Sequence, residues 1–298
     1  MKVLFFAGKG GVGKSTSSAL FALKLAKSGH KVLLDSIDPA HNLGDIFQTS
    51  FGPQPKALLP NLQVMETDLE IWVKKYLKQT EAEFKSVYKY QEAFNLQKYF
   101  RTLKYSPGLE EYAVLLALTD AVETYRDQDV LIFDTPPTAL TLKFLALPQV
   151  SLLWLKELIR FRRTILDKKQ IITRIKAGRA GAEVEKDSIM AKIEDMVVHY
   201  DKFNTLLQHP GLTRVFVVLN PDPLALAETD LICRELANLG IPVPFLVVNK
   251  YQGQEKVIRR LESRYPDSRL LTIPCREDAV TGIETLEELA LPCGVEDI

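Results

Sequence analysis

The chain has 298 residues, of which 46% are hydrophobic and 26% are charged, so it can bury a large core. Lys plus Arg and Asp plus Glu each number 38, and this zero net charge gives no overall attraction to nucleic acid. The three cysteines, Cys233, Cys275 and Cys293, form no Cys-x-x-Cys pair. This spacing argues against a zinc clamp or a redox motif, and we expect a reduced, cytoplasmic protein.

The first residues predict a buried strand and not a targeting segment. The run from Met1 to Ala7 is apolar but short, and it leads directly into a glycine-rich loop. The rest of the sequence contains no uninterrupted apolar run of about 18 residues, the length that a membrane-spanning helix needs. We therefore expect no segment to cross a membrane.

Strand and helix patterns alternate along the chain. Two longer segments, about 69–126 and 138–210, are mostly helical, with breaks near 107–108 and 178–181. Strands are predicted at 3–7, 31–35, 62–65, 130–133, 215–219, 243–248 and 270–273, and helices at 15–28, 224–239, 255–264 and the end of the chain. This order predicts one α/β domain over residues 1–298, with a doubly wound, mostly parallel sheet and a helical subdomain built from the two insertions.

The loop after the first predicted strand has the spacing of a phosphate-binding loop, or P-loop. It fits G-x-x-x-x-G-K-[ST] between a buried strand and a helix, the context that this motif requires. Its backbone N–H groups and the helix N-terminus favour phosphate. Lys14 is expected to contact the β- and γ-phosphates of ATP and to act in catalysis, and the Ser15 hydroxyl to ligate Mg²⁺. The predicted nucleotide-binding residues of the loop are Gly8, Lys9, Gly10, Gly11, Val12, Gly13, Lys14, Ser15 and Thr16.

The second lysine of this loop, Lys9, completes the pattern K-G-G-x-G-K-[ST]. This pattern resembles the deviant Walker A loop of the partitioning, nitrogenase-iron-protein and arsenical-pump ATPases. In that group two subunits close over ATP, and the first lysine reaches into the partner's site, where it stabilises transition-state charge as an arginine finger does. The resemblance implies a dimer and a catalytic Lys9 that acts across its interface. A solvated loop lysine is the alternative.

The segment after the second predicted strand, Asp38-Pro39-Ala40-His41, indicates a branch of this superfamily. It resembles the first switch of the arsenical pump-driving ATPase and of the ATPase that targets tail-anchored membrane proteins. In that family the first aspartate positions the attacking water, which implies this catalytic role for Asp38. A helix N-cap aspartate followed by proline at the first helical position is the alternative.

The segment Phe133-Asp134-Thr135-Pro136-Pro137-Thr138 resembles the Walker B and second-switch sequence of the same family. The resemblance implies that Asp134 holds the Mg²⁺ shell together with Ser15. The glycine and histidine of the family pattern are replaced here by Ala139 and Leu140. This departure predicts that the coupling between the switch and nucleotide differs from the family pattern.

Three later positions follow from the same resemblance, which covers about 1–50, 105–148 and 213–285. The run ending in Val-Val-Asn implies that Asn249 reads the adenine edge. Asp222 stands where the family often has a glutamate that approaches the nucleotide across the dimer, and Pro274 begins a segment like the loop that flanks adenine.

The helical insertions resemble the family in position and helical character. Residues 60 to 212 contain no cysteine, so a thiolate site for trivalent metalloid cannot form there. An apolar stretch from 152 to 161 favours a groove for a hydrophobic partner, with an ordinary helical core as the alternative. Between Lys156 and Arg179, nine basic residues stand against two acids, which fits acidic lipid or an acidic partner, or a solvated helix face.

These features together predict a Mg²⁺-dependent ATPase that works as a nucleotide-driven dimer switch. Its partners would be ATP and ADP, a second identical or related subunit, and a hydrophobic client protein or membrane protein, with no nucleic acid. Two other hypotheses remain: a spatial-organisation ATPase of the partitioning or septum-positioning type, and a nucleotide sensor that hydrolyses poorly. The Asp38 switch favours the pump and targeting branch, whereas Ala139 and Leu140 keep the sensor open.

Overall fold

The computed structural model of this protein describes residues 1–87, 106, 108–177 and 187–289. The eight strands within these ranges form one sheet: β1 Lys2–Ala7, β2 Val32–Ser36, β3 Lys56–Leu59, β4 Leu62–Glu66, β5 Val130–Asp134, β6 Thr213–Leu219, β7 Phe245–Tyr251 and β8 Arg269–Pro274. The helices in the described ranges are α1 Lys14–Lys27, α2 Leu43–Phe47, α3 Leu69–Val87, α4 Leu109–Thr124, α5 Thr138–Ala177, α6 Ser188–Gln208, α7 Pro223–Asn238, α8 Glu255–Arg264 and α9 Ile283–Glu288.

The strand order is β3-β4-β2-β5-β1-β6-β7-β8, and all neighbouring pairs are parallel except β3 with β4. This arrangement confirms the predicted α/β class with a mostly parallel sheet. β1 and β5 lie near the middle, so the loops at their carboxyl ends meet above the centre of the sheet. Ligands of open α/β sheets bind at this edge.

The continuous apolar runs of the central strands place large side chains on both faces of the sheet. On one face, Phe6, Phe216 and Phe245 stack along three neighbouring strands at centroid distances of 4.8 and 4.7 Å, and Phe21 of α1 meets the first two edge-on. On the other face, Phe5 stacks on Phe133 at 5.3 Å. These aromatic contacts fix the central strands under the glycine-rich loop.

The side edge of the sheet that contains β3 and β4 differs from the prediction. The sequence pattern predicted one strand near 62–65, whereas the structure has a hairpin in which β3 pairs antiparallel with β4. The strand β3 was missed because Lys56 and Ala57 are exposed and the strand has only four residues, so its pattern is not that of a buried strand. Its position at the edge explains both properties.

The helical segments form two separate arrangements within the described ranges. By its contacts the chain divides into two compact units, Met1–Leu145 with Gln208–Ile298, and Ala146–Leu207. In the first unit, α3 packs on α4 through a small cluster that includes Val73, Leu109 and Ala113. In the second unit, Arg162 of α5 binds both carboxylate oxygens of Asp187, just before α6, at 2.8 and 3.2 Å. The predicted break at 178–181 lies outside the described residues.

One helix in the described ranges, Thr138–Lys168, is long and apolar enough to cross a membrane, judged by length and composition alone. The sequence pattern did not indicate this helix, because charged residues are scattered along it and no uninterrupted apolar run results. A buried core helix meets the same criterion, and Phe144 and Leu145 near its start are fully buried. This helix is therefore weak support for a membrane span.

Strand β2 carries one buried carboxyl group, that of Asp35, which is 1% exposed. Thr67 donates a hydrogen bond to its Oδ2 at 3.0 Å, and its Oδ1 has no hydrogen-bond partner in the described structure. Burial raises the pKa of Asp35 to about 7; Thr67 opposes this shift, and the nearby Asp134 and Glu66 add to it. The folded protein therefore holds a proton that the unfolded chain loses near pH 4.

We predict that Asp35→Asn weakens the pH dependence of stability. The contribution of Asp35 is complete below pH 4 and falls as the pH rises to 7, by at most about 4 kcal/mol, because only the unfolded state ionises in that range. Urea unfolding at pH 5 and pH 8 measures the effect, with the exposed Asp267→Asn as the control. Equal pH dependence in wild type and Asp35→Asn would contradict the prediction.

Candidate functional site

The site lies at the carboxyl ends of the central strands. In the parallel register, Asp134 at the end of β5 lies opposite Phe6 of β1 on one side and Ser36 of β2 on the other. The chain turns from β1 directly into the glycine-rich loop, and from β2 toward Asp38. The sheet thereby brings together residues more than one hundred positions apart in the sequence.

The backbone of the phosphate loop needs glycine at particular positions. Gly8 has φ 153°, and a Cβ there would lie 2.3 Å from the carbonyl oxygen of Val218 on β6. Gly13 has φ 92°, and its Cβ would lie 2.2 Å from Nδ2 of Asn249. Gly10 has no neighbour within 4 Å of its Cβ position. The loop is thus pressed against the sheet at both ends and open in the middle, where phosphate oxygens can approach the backbone.

Lys14 is the cation at the centre of this site and is 6% exposed. Its Nζ lies 3.4 Å from the carbonyl oxygen of Lys9, to which it donates. Burial lowers the pKa of Lys14, and the carboxylates of Asp134, Asp38 and Glu228, in that order, oppose the shift. The structure therefore places one buried ammonium group among three carboxylates.

Asp134 is fully buried, with Ser15 and Ser36 beside it. Ser36 donates to Oδ2 at 3.4 Å, whereas Oδ1 has no hydrogen-bond partner within the described ranges. Burial raises the pKa of Asp134 to about 7 and Asp38 contributes in the same direction, while Ser15, Lys14 and Ser36 oppose it. An unpaired carboxylate oxygen beside a hydroxyl fits the oxygen ligands that Mg²⁺ prefers, with water and phosphate completing the shell.

Asp38 lies in a turn after β2 and is 8% exposed. Its Oδ1 accepts a hydrogen bond from the backbone N–H of Ala40 at 3.0 Å, and His41 follows with φ 48° in the left-handed region. The next helix, α2, begins only at Leu43 with Asn42 as its N-cap. The N-cap alternative for Asp38 is therefore wrong. The side chain instead closes a local turn, and its charge acts on Lys14 and Asp134.

Lys9 occupies a different environment from Lys14 although both belong to one loop. Its side chain is 46% exposed, and its Nζ lies 3.7 Å from Oε2 of Glu228 on α7. The other oxygen of Glu228 accepts a hydrogen bond from Oγ1 of Thr138 at 2.9 Å. Glu228 thus connects the phosphate loop to the first residue of α5.

The three later positions that were predicted to contact the nucleotide lie on different elements. Asn249 on β7 is 7% exposed, and its Nδ2 donates to the carbonyl oxygen of Val12 at 2.8 Å, so the amide holds the phosphate loop. Asp222 is exposed just before α7, and Pro274 is exposed at the end of the edge strand β8, opposite Tyr251. The reading of adenine by Asn249 and the roles of Asp222 and Pro274 stay predictions.

Two contributors to the site were not assigned roles from the sequence. Ser36, whose hydroxyl contacts Asp134, is a polar residue at the carboxyl end of the buried strand β2, and that position is the signal that could have identified it. Glu228 lies in the resembling segment Ala227-Glu228-Thr229, but nothing in its spacing shows that it meets Lys9. That contact depends on how α7 packs beside the loop.

We predict that Gly8→Ala destabilises the protein, whereas Gly10→Ala leaves its stability within about 0.5 kcal/mol of wild type. Gly8 combines a positive φ with a backbone oxygen at 2.3 Å, and relieving that clash must move the loop or β6. Such strain costs about 1–3 kcal/mol or more. Thermal unfolding of both variants tests this pair, and equal midpoints would show that the loop is not pressed against β6.

The chain is similar in sequence to several known proteins. The family model described as anion-transporting ATPase matches residues 1–292. A putative arsenical pump-driving ATPase 2 of Aquifex aeolicus is 30% identical over 99% of this chain and 100% of its own length. The ATPase get3 of Schizosaccharomyces japonicus is 30% identical over 97% of this chain and 91% of its own, and an ATPase ASNA1 homolog of Entamoeba dispar is 29% identical over 96% and 91%.

These matches extend over almost the whole chain and include the helical segments. They confirm the resemblance inferred from the glycine-rich loop and from the Asp38 segment. A buried lysine at a helix N-terminus, above the centre of a parallel sheet, is compatible with the binding of phosphate in such an ATPase. This chain is therefore an ATPase that belongs to the anion-transporting ATPase family.

Proposed function

We propose that this ATPase is a Mg²⁺-dependent switch in which two copies of the chain, or this chain and a related subunit, close over ATP. The observation that carries the proposal is the contrast between the two lysines of the phosphate loop. Lys14 is buried among the carboxylates of its own subunit, whereas Lys9 is 46% exposed at the rim of the same site. A cation in that position is available to a neighbouring subunit.

Within one subunit the remaining residues have distinct roles in this proposal. Lys14 and the loop N–H groups bind the β- and γ-phosphates, and the amide of Asn249 keeps Val12 and Gly13 in place. Ser15 and Asp134 would hold Mg²⁺, which supplies positive charge to the phosphate oxygens. Asp38, held by Ala40 and 8% exposed, orients the attacking water in line with the γ-phosphate.

The second compact unit supports a hydrophobic partner for the switch. On α5, Val150, Leu153, Trp154, Leu158, Phe161 and Ile165 recur at helical spacing and are each at least 38% exposed. Leu153, Trp154 and Phe161 are 62%, 69% and 66% exposed. Contiguous exposed apolar patches often mark interaction sites, whereas single exposed apolar residues are normal on any protein surface. We propose that it contacts a hydrophobic client protein or a membrane protein.

We predict that Asp38→Asn binds ATP with near wild-type affinity but turns it over at least about 100-fold more slowly, since an amide orients and polarises water poorly. ATP-bound dimers should accumulate as a result. Phosphate release and equilibrium ATP binding, measured on the same preparations, separate the two effects. Asp45→Asn in α2 is the matched control, because Asp45 is exposed and only seven residues further along the chain. Turnover within about threefold of wild type would assign the water to another residue.

The cross-interface role of Lys9 is tested by mixing two inactive variants, Lys9→Ala and Asp38→Asn. If Lys9 acts in the partner's site, the intact Asp38 of the first variant meets the intact Lys9 of the second, and one site of each mixed dimer is complete. Random mixing in equal amounts should then restore about a quarter of wild-type phosphate release.

If Lys9 acts in its own subunit, every site in the mixture carries one lesion and no activity returns. Mixed dimers must be demonstrated independently, for example by co-purification through a tag on one variant. Continued inactivity of demonstrated mixed dimers refutes the proposed role across the interface. Each variant alone, at the same total concentration, is the control.

A further inference from the structure

Glu228 is the residue through which the phosphate loop contacts the start of α5. It lies in the second turn of α7, with Oε2 3.7 Å from Nζ of Lys9 and Oε1 2.9 Å from Oγ1 of Thr138. Its side chain is 27% exposed, and Thr138 is 7% exposed. One carboxylate therefore holds a loop lysine and the first residue of a helix that follows Asp134 by four positions.

The contact with Thr138 fixes the direction of the Glu228 side chain. A hydroxyl that donates to a carboxylate makes a charge-assisted hydrogen bond, which is stronger and more directional than a neutral one. Because Thr138 is almost fully buried, its hydroxyl cannot follow Glu228 if that side chain turns away. The bond thereby keeps the second carboxylate oxygen facing Lys9.

The ion pair with Lys9 is weak enough to break during function. A pair that is this exposed contributes at most about a fivefold factor to an equilibrium. Its carboxylate also acts on Lys14, the buried cation of the same site. A bound triphosphate would add negative charge close to Glu228, attract Lys9, and repel the carboxylate that holds it.

We propose that Glu228 is a positioning residue that holds Lys9 on its own subunit before ATP binds and releases Lys9 and Thr138 together when the triphosphate enters. This inference rests on the proposed function of Lys9 across the interface. The Glu228 side chain would thereby couple three events. These are the binding of triphosphate to the phosphate loop, the release of Lys9 toward the partner subunit, and the release of the first residue of α5.

The first test measures Lys9 directly and needs no dimer. The nucleotide-free protein is treated with N-hydroxysuccinimidyl acetate, and acetylation of Lys9 is followed by peptide mass spectrometry, with the exposed Lys78 as internal reference. Glu228→Gln keeps an oxygen that can accept from Thr138 but removes the charge, and should speed Lys9 acetylation by about twofold to fivefold. Unchanged acetylation of Lys9 overturns the proposal.

The second test measures association by sedimentation with Mg²⁺ and adenylyl imidodiphosphate, an ATP analogue that is not hydrolysed. Since two such pairs open in each dimer, Glu228→Gln should lower the dimer dissociation constant by about fourfold to 25-fold. With the analogue at saturation, the same substitution in a Lys9→Ala background should change the dissociation constant much less. An equal effect with and without Lys9 would show that Glu228 does not act through that lysine.

Thr138→Val tests the link to α5, because valine keeps the shape of threonine and removes the donor. It should tighten the dimer in the wild-type background and have no effect beside Glu228→Gln, whereas Thr138→Ser should behave as wild type. Additive effects of the two substitutions refute this link. Glu235→Gln, two turns further along α7 beside Arg234, is the matched control and should alter neither measurement.

The two measurements separate the inference from the function on which it rests. If wild type forms no dimer with the analogue but Glu228→Gln still speeds acetylation of Lys9, the dimer switch fails and the positioning role stands. If dimers form normally and acetylation of Lys9 does not change, the positioning role fails and the dimer switch stands.

Discussion

At the carboxyl end of β5, the side chain of Asp134 is fully buried, and burial by itself favours the protonated form of its carboxyl group. Lys14, Ser15 and Ser36 oppose that tendency. Burial also lowers the pKa of Lys14, and the negative charge of Asp134 opposes this second shift. Each group therefore favours the charged form of the other. This mutual dependence requires the phosphate loop, β2 and β5 to be fixed relative to one another, and the stacked aromatic rings beneath the loop provide that rigidity.

The environments of the charged residues suggest a division between fixed and movable parts. Lys14, Asp38 and Asp134 are less than one tenth exposed, and each has a hydrogen-bond partner within its own subunit. Lys9 and Glu228 are partly exposed, and their ion pair is long. In an ATPase that acts as a switch, the buried group would bind and orient the phosphates, while the exposed pair would change partners. Asn249 belongs to the first group in this structure, since its amide anchors Val12.

Much of the fold followed from patterns of two kinds. Continuous apolar runs at β1, β5, β6 and β7 predicted buried parallel strands, and the glycine spacing between β1 and α1 predicted the phosphate loop. The edge strand β3 escaped because an exposed four-residue strand lacks the apolar signature of a buried one. The search for uninterrupted apolar runs did not detect the helix over Thr138–Lys168, because charged residues interrupt its sequence. Its average composition is nevertheless apolar enough for a membrane-spanning helix.

The sequence by itself determined the residue types that the chemistry needs: the loop from Gly8 to Thr16, the Asp38 turn and Asp134 at a strand end, because each depends on neighbours within a few positions. It could not determine which of two lysines in one loop is buried, nor that Glu228 and Thr138 meet. Those facts depend on contacts between segments about ninety or more positions apart, which only sheet register and helix packing create. Residue types and their spacing are local properties of the sequence. The burial and the charged neighbours of each side chain depend on contacts that form only when the strands pair and the helices pack.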